Sequence, residues 1–354
     1  MSTNKNLHNA RNAKNDEFYT QLTDVAKELM HYKHHFKDKI VFCNCDDPTW
    51  SAFWKYFHLN FSALGLKKLI STHYDRTEPT YKMEYEGGDD NDIEVGVKTP
   101  LEGNGDFRNQ ECLDLLDAAD IVVTNPPFSL FREYVACLME HEKKFLIIGN
   151  MNALTYKEIF PLIRDNELWY GASIHSGDRK FYVPDDYPLK AAGCGIDEDG
   201  RKFIRVKGVR WFTNLDYAER HEKLILWKNY TPEEYSTYDN YNAINVDVTS
   251  DIPCDYDGVM GVPITFMDKY NPEQFKIIGL VNGKDYLAGI KTTKDYRKYA
   301  ETKQDGTKTG YSGVKINGNP VLKGKPEKGN YFVLDDDVVH SKYARIFIRR
   351  KKDA

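Results

Sequence analysis

Residues 120–128 read Asp-Ile-Val-Val-Thr-Asn-Pro-Pro-Phe: an apolar run that stops against two consecutive prolines. Apolar residues without polar alternation belong to a strand covered on both faces, the signature of a parallel sheet between layers of helices. The prolines fix φ twice and delete two N–H donors, so neither a helix nor a sheet ladder continues through them. The chain must therefore leave the sheet at a stiff turn, with carbonyl oxygens free and the Asn125 side chain held in place. In open α/β sheets this carboxyl edge of the strands is where ligands sit.

The flanking chain supplies the rest of such a sheet. Leu22, Val25, Ala26, Leu29 and Met30 recur at helical spacing. Residues 39–43 predict a strand. Asp47-Pro48 resembles an N-cap with proline at the first helical position, opening a helix through Trp50, Phe53, Trp54 and Phe57. Strands over 68–73 and 144–148 alternate with helices over 111–116, 130–140 and 156–163, which predicts βαβ units and a mainly parallel sheet. Beyond about residue 169 the pattern changes to short strands, such as 180–183 and 210–213, among loops rich in Gly, Asp, Pro and Tyr. The expected division is a flexible basic arm over 1–15, a catalytic domain over 16–175, and a recognition region over 176–354 partly packed on that domain.

Composition narrows the class. At 354 residues and 41% hydrophobic the chain can build a large core. No apolar run reaches membrane-spanning length and residues 1–15 hold no signal-peptide core, so a cytoplasmic protein is expected. The six cysteines match no zinc spacing and are expected to be reduced thiols. The His34-His35 pair lacks metal-ligand partners, and no metal is expected. Net charge is −5, yet residues 284–354 hold 17 Lys+Arg against 9 Asp+Glu, a balance of +8 that leaves −13 on the first 283. Lys5, Arg11 and Lys14 add a basic N-terminus. Such polarisation suits a protein whose basic portions face phosphates, and a plain solvated surface is the competing reading.

The Asn-Pro-Pro-Phe turn suits one kind of chemistry. An exocyclic amine on a planar ring is a poor nucleophile because its lone pair is delocalised. Two acceptors that take both amino hydrogens, Asn125 Oδ1 and the Pro126 carbonyl, favour a more pyramidal nitrogen, and Phe128 offers a face for stacking. Positioning and preorganised electrostatics then carry the rate.

These residues bring a resemblance into view. Asp16-Glu17-Phe18-Tyr19-Thr20-Gln21, Cys43-Asn44-Cys45-Asp46-Asp47-Pro48, Gly105-Asp106-Phe107-Arg108, Asn125-Pro126-Pro127-Phe128 and Lys144-Phe145-Leu146-Ile147-Ile148 look like the EcoRI-type adenine DNA methyltransferases. Trp211-Phe212-Thr213-Asn214-Leu215 and Gly261-Val262-Pro263-Ile264-Thr265-Phe266 extend the likeness. The resemblance implies a Rossmann-like class I methyltransferase sheet, a C-terminal recognition region rich in loops and strands, S-adenosylmethionine as cofactor, and duplex DNA as substrate.

Residue roles follow from it. Asn125, Pro126, Pro127 and Phe128 form the catalytic turn, with Asn125 also facing the cofactor. Tyr19 and Thr20 would hold the methionine end of the cofactor, or simply start a packed helix. Residues 42–48 occupy the cofactor loop, with Asn44 and Asp46 where small glycines are common; Cys45 and Pro48 complete it, and Asp46 or Asp47 would pair with the cofactor ammonium, unless Asp47 only caps a helix. Asp75, or Glu78, stands where an acid binds ribose hydroxyls. Asp106 and Phe107 would meet the cofactor adenine. The target adenine must leave the duplex stack, with Phe128 on one face and Phe181 on the other, unless Phe181 is an ordinary core aromatic. Cys254 after Pro253 resembles a cytosine-C5 nucleophile but lies far from the turn and is read as structural.

The expected protein is thus a site-specific adenine-N6 methyltransferase acting as a monomer, without membrane partner, in a restriction-modification or epigenetic setting where a cognate endonuclease would accompany it. The alternatives are transfer to another planar amino group (cytosine-N4, RNA adenine or protein glutamine) or an inactive DNA-binding scaffold.

Overall fold

The computed structural model describes residues 18–75, 78–185, 187–189, 193–283 and 287–351; the basic arm over 1–15 lies outside the described residues. The chain forms two compact units, one from 1–159 with 167–218 and one from 160–166 with 219–354.

In chain order the first unit comprises α1 (Leu22–Leu29), β1 (Ile40–Cys43), α2 (Ala52–Leu59), α3 (Phe61–Leu64), β2 (Lys68–Thr72), β3 (Tyr81–Tyr85), β4 (Val97–Pro100), α4 (Gln110–Ala118), β5 (Ile121–Thr124), α5 (Phe131–Glu140), β6 (Lys144–Asn150), β7 (Trp169–Tyr170), β8 (Asp178–Tyr182), β9 (Gly195–Ile196), β10 (Lys202–Lys207) and β11 (Val209–Thr213). Eight strands form one sheet in the order β4-β3-β2-β1-β5-β6-β11-β7. The centre is parallel: β2 and β5 both pair with β1, and β6 pairs with β5. Both wings are antiparallel, β3 and β4 on one side and β11 and β7 on the other. The fold is mixed α/β, and within this eight-stranded sheet parallel pairing is confined to four strands where a mainly parallel sheet was expected.

The central strands are apolar because helices cover both faces: all four residues of β5 are buried, as are six of seven in β6. The chain runs from β1 to β2 on one side, then returns past β1 to β5 on the other. This reversal opens a crevice at the carboxyl ends of β1 and β5, the place where such sheets bind ligands.

Two helix starts differ from expectation. Asp47 does not cap α2. Its carboxylate accepts from the Thr49 N–H at 2.8 Å and closes a turn, while Ser51 caps the helix by accepting from the Phe53 and Trp54 N–H groups. The helix expected over 156–163 is only α6 (Phe160–Arg164), after a 3-10 turn at Met151–Thr155. Pro161 explains this: proline is tolerated in a first helical turn and not further in, so the helix cannot begin upstream.

Glu28 on α1 is fully buried and accepts from the Ala172 and Ser173 N–H groups, each at 2.7 Å, and from the Tyr32 hydroxyl at 2.9 Å. That tie joins the first helix to the chain after β7. Residues 176–218 sit in the same unit as the Asn-Pro-Pro turn, because β11 pairs with β6 along five residues. There β8, β10 and β9 form a separate antiparallel sheet, with Phe181, Ile204 and Val206 in the core.

Among its described residues the second unit contains α6 and nine strands: β12 (Ile244–Asn245), β13 (Met260–Pro263), β14 (Phe275–Val281), β15 (Ala300–Thr302), β16 (Lys308–Ser312), β17 (Val321–Lys323), β18 (Tyr331–Leu334), β19 (Asp337–Ser341) and β20 (Arg345–Arg350). They make a four-stranded sheet, β12-β13-β20-β14, and a five-stranded sheet, β16-β15-β18-β19-β17. Among the described residues no helix is long and apolar enough to cross a membrane, and all six cysteines are free thiols.

Candidate active site

At the carboxyl ends of β1, β2 and β5 lies a cavity of about 510 Å³. Its lining gathers Tyr19, Cys45, Asp46, Asp47, Asp75, Asp106, Phe107, Asn125 and Pro127 from the residues singled out in the sequence. Thr20, Asn44, Pro48, Glu78, Pro126, Phe128 and Phe181 are not part of that lining. It adds Phe18, Trp50, His73, Tyr74, Arg108, Ser129, Leu130 and Pro184, none of which carried a role in the sequence reading. Arg108 was within reach, being next to Asp106-Phe107 in the motif. The sequence pattern puts Trp50 on a helix and His73 in a strand, whereas both fall just outside α2 and β2, in turns whose path only the fold sets.

The loop after β1 builds one wall. Cys45 stands at φ 66°, a left-handed conformation that a β-carbon disfavours. It turns the chain so that Asp46 points back beneath the Asn-Pro-Pro turn. The Asp46 carboxylate is buried; it accepts from the Ser51 hydroxyl at 3.1 Å and the Asn125 N–H at 3.3 Å, and the Thr124 hydroxyl lies against it. Burial pushes the Asp46 carboxyl up to about 7; those hydrogen bonds oppose the shift and the neighbouring Asp47 charge adds to it. Asp47 behaves oppositely. Burial alone would raise it, but hydrogen bonds from His73, Thr49 and Tyr81 prevail and hold it at about 2. The contacts are short: His73 Nδ1 at 2.7 Å and the Tyr81 hydroxyl at 2.9 Å. Asn44 faces the other way, accepting from the Thr72 hydroxyl at 3.1 Å.

The opposite wall comes from the segments after β2 and before α4. Asp75 lines the cavity and accepts from the Glu78 N–H at 3.0 Å. The Asp75 N–H in turn donates to the Asn104 carbonyl. This close approach needs a glycine: Gly105 has φ 73°, and a β-carbon there would fall 2.3 Å from the His73 carbonyl oxygen. The Asp106 carboxylate is held in a two-pronged pair with Arg108, at 2.9 and 2.7 Å. Phe107 is buried edge-on against Tyr134.

The residues before α1 close the site. Tyr19 exchanges both backbone hydrogen bonds with Tyr182 of β8, and its ring lies 3.8 Å from that of Trp50. Beside it the Phe18 carbonyl accepts from Asn125 Nδ2 at 2.5 Å. That contact orients the amide and leaves Asn125 Oδ1 buried without a hydrogen-bond partner; Thr20 Oγ1 is in the same condition. Such atoms are rare because each costs roughly 1–3 kcal/mol. Phe128 packs edge-on against Phe18 at 5.5 Å and Phe181 at 6.3 Å. Phe181 is 2% exposed, and as the rings stand they offer no parallel slot for a planar group.

A rigid amide at a strand end, an acceptor awaiting a donor, and an acid-lined cavity beside it fit transfer of a small group to an amine. Over residues 6–351 the chain matches the family described as Adenine-specific methyltransferase EcoRI. It is 48% identical over 301 residues to Type II methyltransferase M.EcoRI of Escherichia coli, covering 80% of this chain and 91% of that relative. It is 39% identical over 299 residues to Type II methyltransferase M.MpnI of Mycoplasma pneumoniae, covering 83% and 91%. No solved structure matches it. The resemblance carried by the motifs thus extends over nearly the whole chain, which belongs to the EcoRI family of adenine-specific methyltransferases.

Proposed function

We propose that the protein transfers a methyl group from S-adenosylmethionine to the N6 amino group of an adenine flipped out of duplex DNA at a specific site. The observation that carries this reading is Asn125 Oδ1: buried, unpartnered, and fixed by the Phe18 carbonyl at the carboxyl edge of β5. An adenine amino hydrogen is the donor it lacks, and the Pro126 carbonyl supplies the second acceptor. Removing both hydrogens from the ring plane raises the nucleophilicity of the nitrogen without a covalent intermediate.

The cavity suits the proposed cofactor. Its volume lies in the ordinary range for small-molecule sites, and its walls combine aromatic faces with a few convergent polar groups. Asp47 and Asp75 make it attractive to a ligand bearing positive charge, with Asp46 adding to this only as it ionises near pH 7, while Arg108 neutralises Asp106. When bound, S-adenosylmethionine supplies a methyl group already activated on a sulfonium. Asp47, ionised throughout the neutral range, would face the ammonium; Asp75, at the end of β2, would take the ribose hydroxyls; Asp106 and Phe107 would border the adenine. The tilted Tyr19–Trp50 ring pair would exclude water from one side. The strand order, with its reversal at β1, supports a Rossmann-like class I sheet.

Phe128 would stack on the target base. Because Phe181 now packs edge-on against it, a two-sided clamp requires the rings to part as the base enters. Target recognition is assigned to residues 176–354, of which 176–218 build onto the first unit. The test is to incubate the protein and S-adenosylmethionine with a diverse duplex DNA library and to map N6-methyladenine. A single short sequence class bearing the modification is expected; methyl groups on cytosine, or none on any duplex, would overturn the reading.

A further inference from the structure

The five-stranded sheet of the second unit has charged ends of opposite sign. Thr302 at the end of β15 pairs with Tyr331 at the start of β18, and with Lys308 at the start of β16. The 303–307 turn therefore sits at the β18 start. The β18–β19 turn, with Asp335 and Asp336, lies at the other end of β18. Four lysines gather at the first end: Lys303 opens the 303–307 turn and Lys308 follows it, and Lys325 and Lys328 belong to the loop before β18. All four are exposed, and none makes an ion pair among the described residues.

The two lysine-bearing segments are tied into one body. Gln304 Nε2 donates to the Pro326 carbonyl at 2.9 Å and the Gly329 carbonyl at 2.8 Å, and Lys325 Nζ donates back to the Gln304 carbonyl at 2.9 Å. Of the acids in these segments, Asp305 accepts the Thr307 N–H to close its turn, and Glu327 is exposed, leaving a balance of +2 over the four lysines and two acids. Gly306, Gly310, Gly324 and Gly329 all have positive φ, and an added β-carbon at any of them would meet no atom within 4 Å. The backbone here is bare, so a polyanion can approach closely. Several neighbouring cations are committed: Lys294 to Asp239 and Asp337, Lys315 to Glu301, and Arg297 to Asp295, while Lys298 is exposed and makes no ion pair among the described residues.

We propose that Lys303, Lys308, Lys325 and Lys328 form a sequence-independent docking surface for the phosphate backbone of duplex DNA. The inference rests on the proposed DNA-methyltransferase function and adds a location to it. Lysines that make no ion pair among the described residues, on a pre-tied pair of loops, lose little freedom in holding phosphates; Lys325 would exchange its bond to the Gln304 carbonyl for one to phosphate, and each contact releases condensed counterions. Base reading is left to other parts of the chain.

The test measures affinity for a non-specific duplex against salt concentration. Replacing all four lysines with alanine is expected to make the log–log slope shallower by about 3–4, since each phosphate contact contributes about 0.9 to it. Arginine at the same positions should keep the original slope, which separates charge from folding. A matched control replaces the exposed Lys33, Lys37, Lys55 and Lys67 of the first unit with alanine and should leave the slope alone. An unchanged slope in the first variant, or an equal fall in the control, overturns the docking surface. Methylation of the same duplexes by the wild-type protein is read in parallel: if it is present, such a failure falls on this surface alone, and if it is absent the functional reading itself fails.

Discussion

The Asn125 side-chain amide donates to the Phe18 carbonyl oxygen at 2.5 Å, joining two positions 107 residues apart. The contact decides which end of the amide is left without a partner. With Nδ2 committed to Phe18, only Oδ1 remains to accept, and it is buried without a partner. A buried acceptor held ready costs stability in the free protein and is repaid when a donor arrives.

Removing it should therefore cost turnover more than stability. Asn125→Ala is expected to lower methyl transfer about 100-fold or more, the scale seen when a positioned transition-state partner is deleted. Its thermal midpoint should stay close to wild type and duplex binding should persist. Single-turnover transfer of a labelled methyl group checks this, and near-normal turnover would reject the role given to Asn125.

Asp46 predicts a pH dependence of stability. Its carboxyl is raised from the usual 3.8 to about 7 because it is buried. The folded state thus binds a proton that the unfolded state has already released between these values. That contribution is complete below about pH 4 and is lost as pH rises through 7, on the order of 4 kcal/mol in all. Asp47, held at about 2, contributes oppositely: its share is present above pH 4 and lost only as pH falls through 2. Asp46→Asn should flatten the decline between pH 4 and 7, as measured by denaturant unfolding at each pH. An unaltered decline would mean that other groups produce it.

Cys45 holds a conformation that costs a residue with a side chain on the order of 1 kcal/mol. Cys45→Gly should fold at least as stably as wild type, whereas Cys45→Val, with a branched β-carbon, should lose about 2 kcal/mol or more. Chemical denaturation of the pair reads both signs. Equal stabilities would show that the loop relaxes around this position.

Glu28→Ala leaves the Ala172 and Ser173 N–H groups and the Tyr32 hydroxyl without their acceptor. The expected loss is on the order of 3 kcal/mol, since buried donors stripped of partners cost about 1–3 kcal/mol each and some regain water. Glu28→Gln keeps one acceptor oxygen and should lose less. The order of the two unfolding midpoints is the measurement, and a smaller loss for alanine would contradict the tie.

Trp50 is 43% exposed and packs against the Tyr19 ring in a tilted pair that lines the cavity. Trp50→Ala should weaken S-adenosylmethionine binding about tenfold, the scale of one lost aromatic contact, with little effect on unfolding. Calorimetric titration of the cofactor distinguishes this from a purely structural Trp50, which would leave affinity unchanged and shift stability instead.

Local chemistry alone determined a good deal here. The apolar runs at 40–43, 121–124 and 144–148 predict buried strands because no polar alternation interrupts them, and the double proline announces a rigid strand end. Those features, with the motif order, identified the family and singled out the Asn-Pro-Pro-Phe turn to which catalysis is assigned in the proposed function. Tertiary structure decided what local chemistry could not. The Tyr81–Tyr85 strand escaped notice because its middle three residues are only partly covered, and Val97–Pro100 because it is an exposed edge. Asp47 carries a sound N-cap signature, but His73 and Tyr81 arrive from distant segments and take its carboxylate, so the helix waits for Ser51. The opposite ionisation of two adjacent aspartates has the same origin. Residue type sets their common starting value, and only burial and partners contributed by remote parts of the chain drive Asp46 up and Asp47 down.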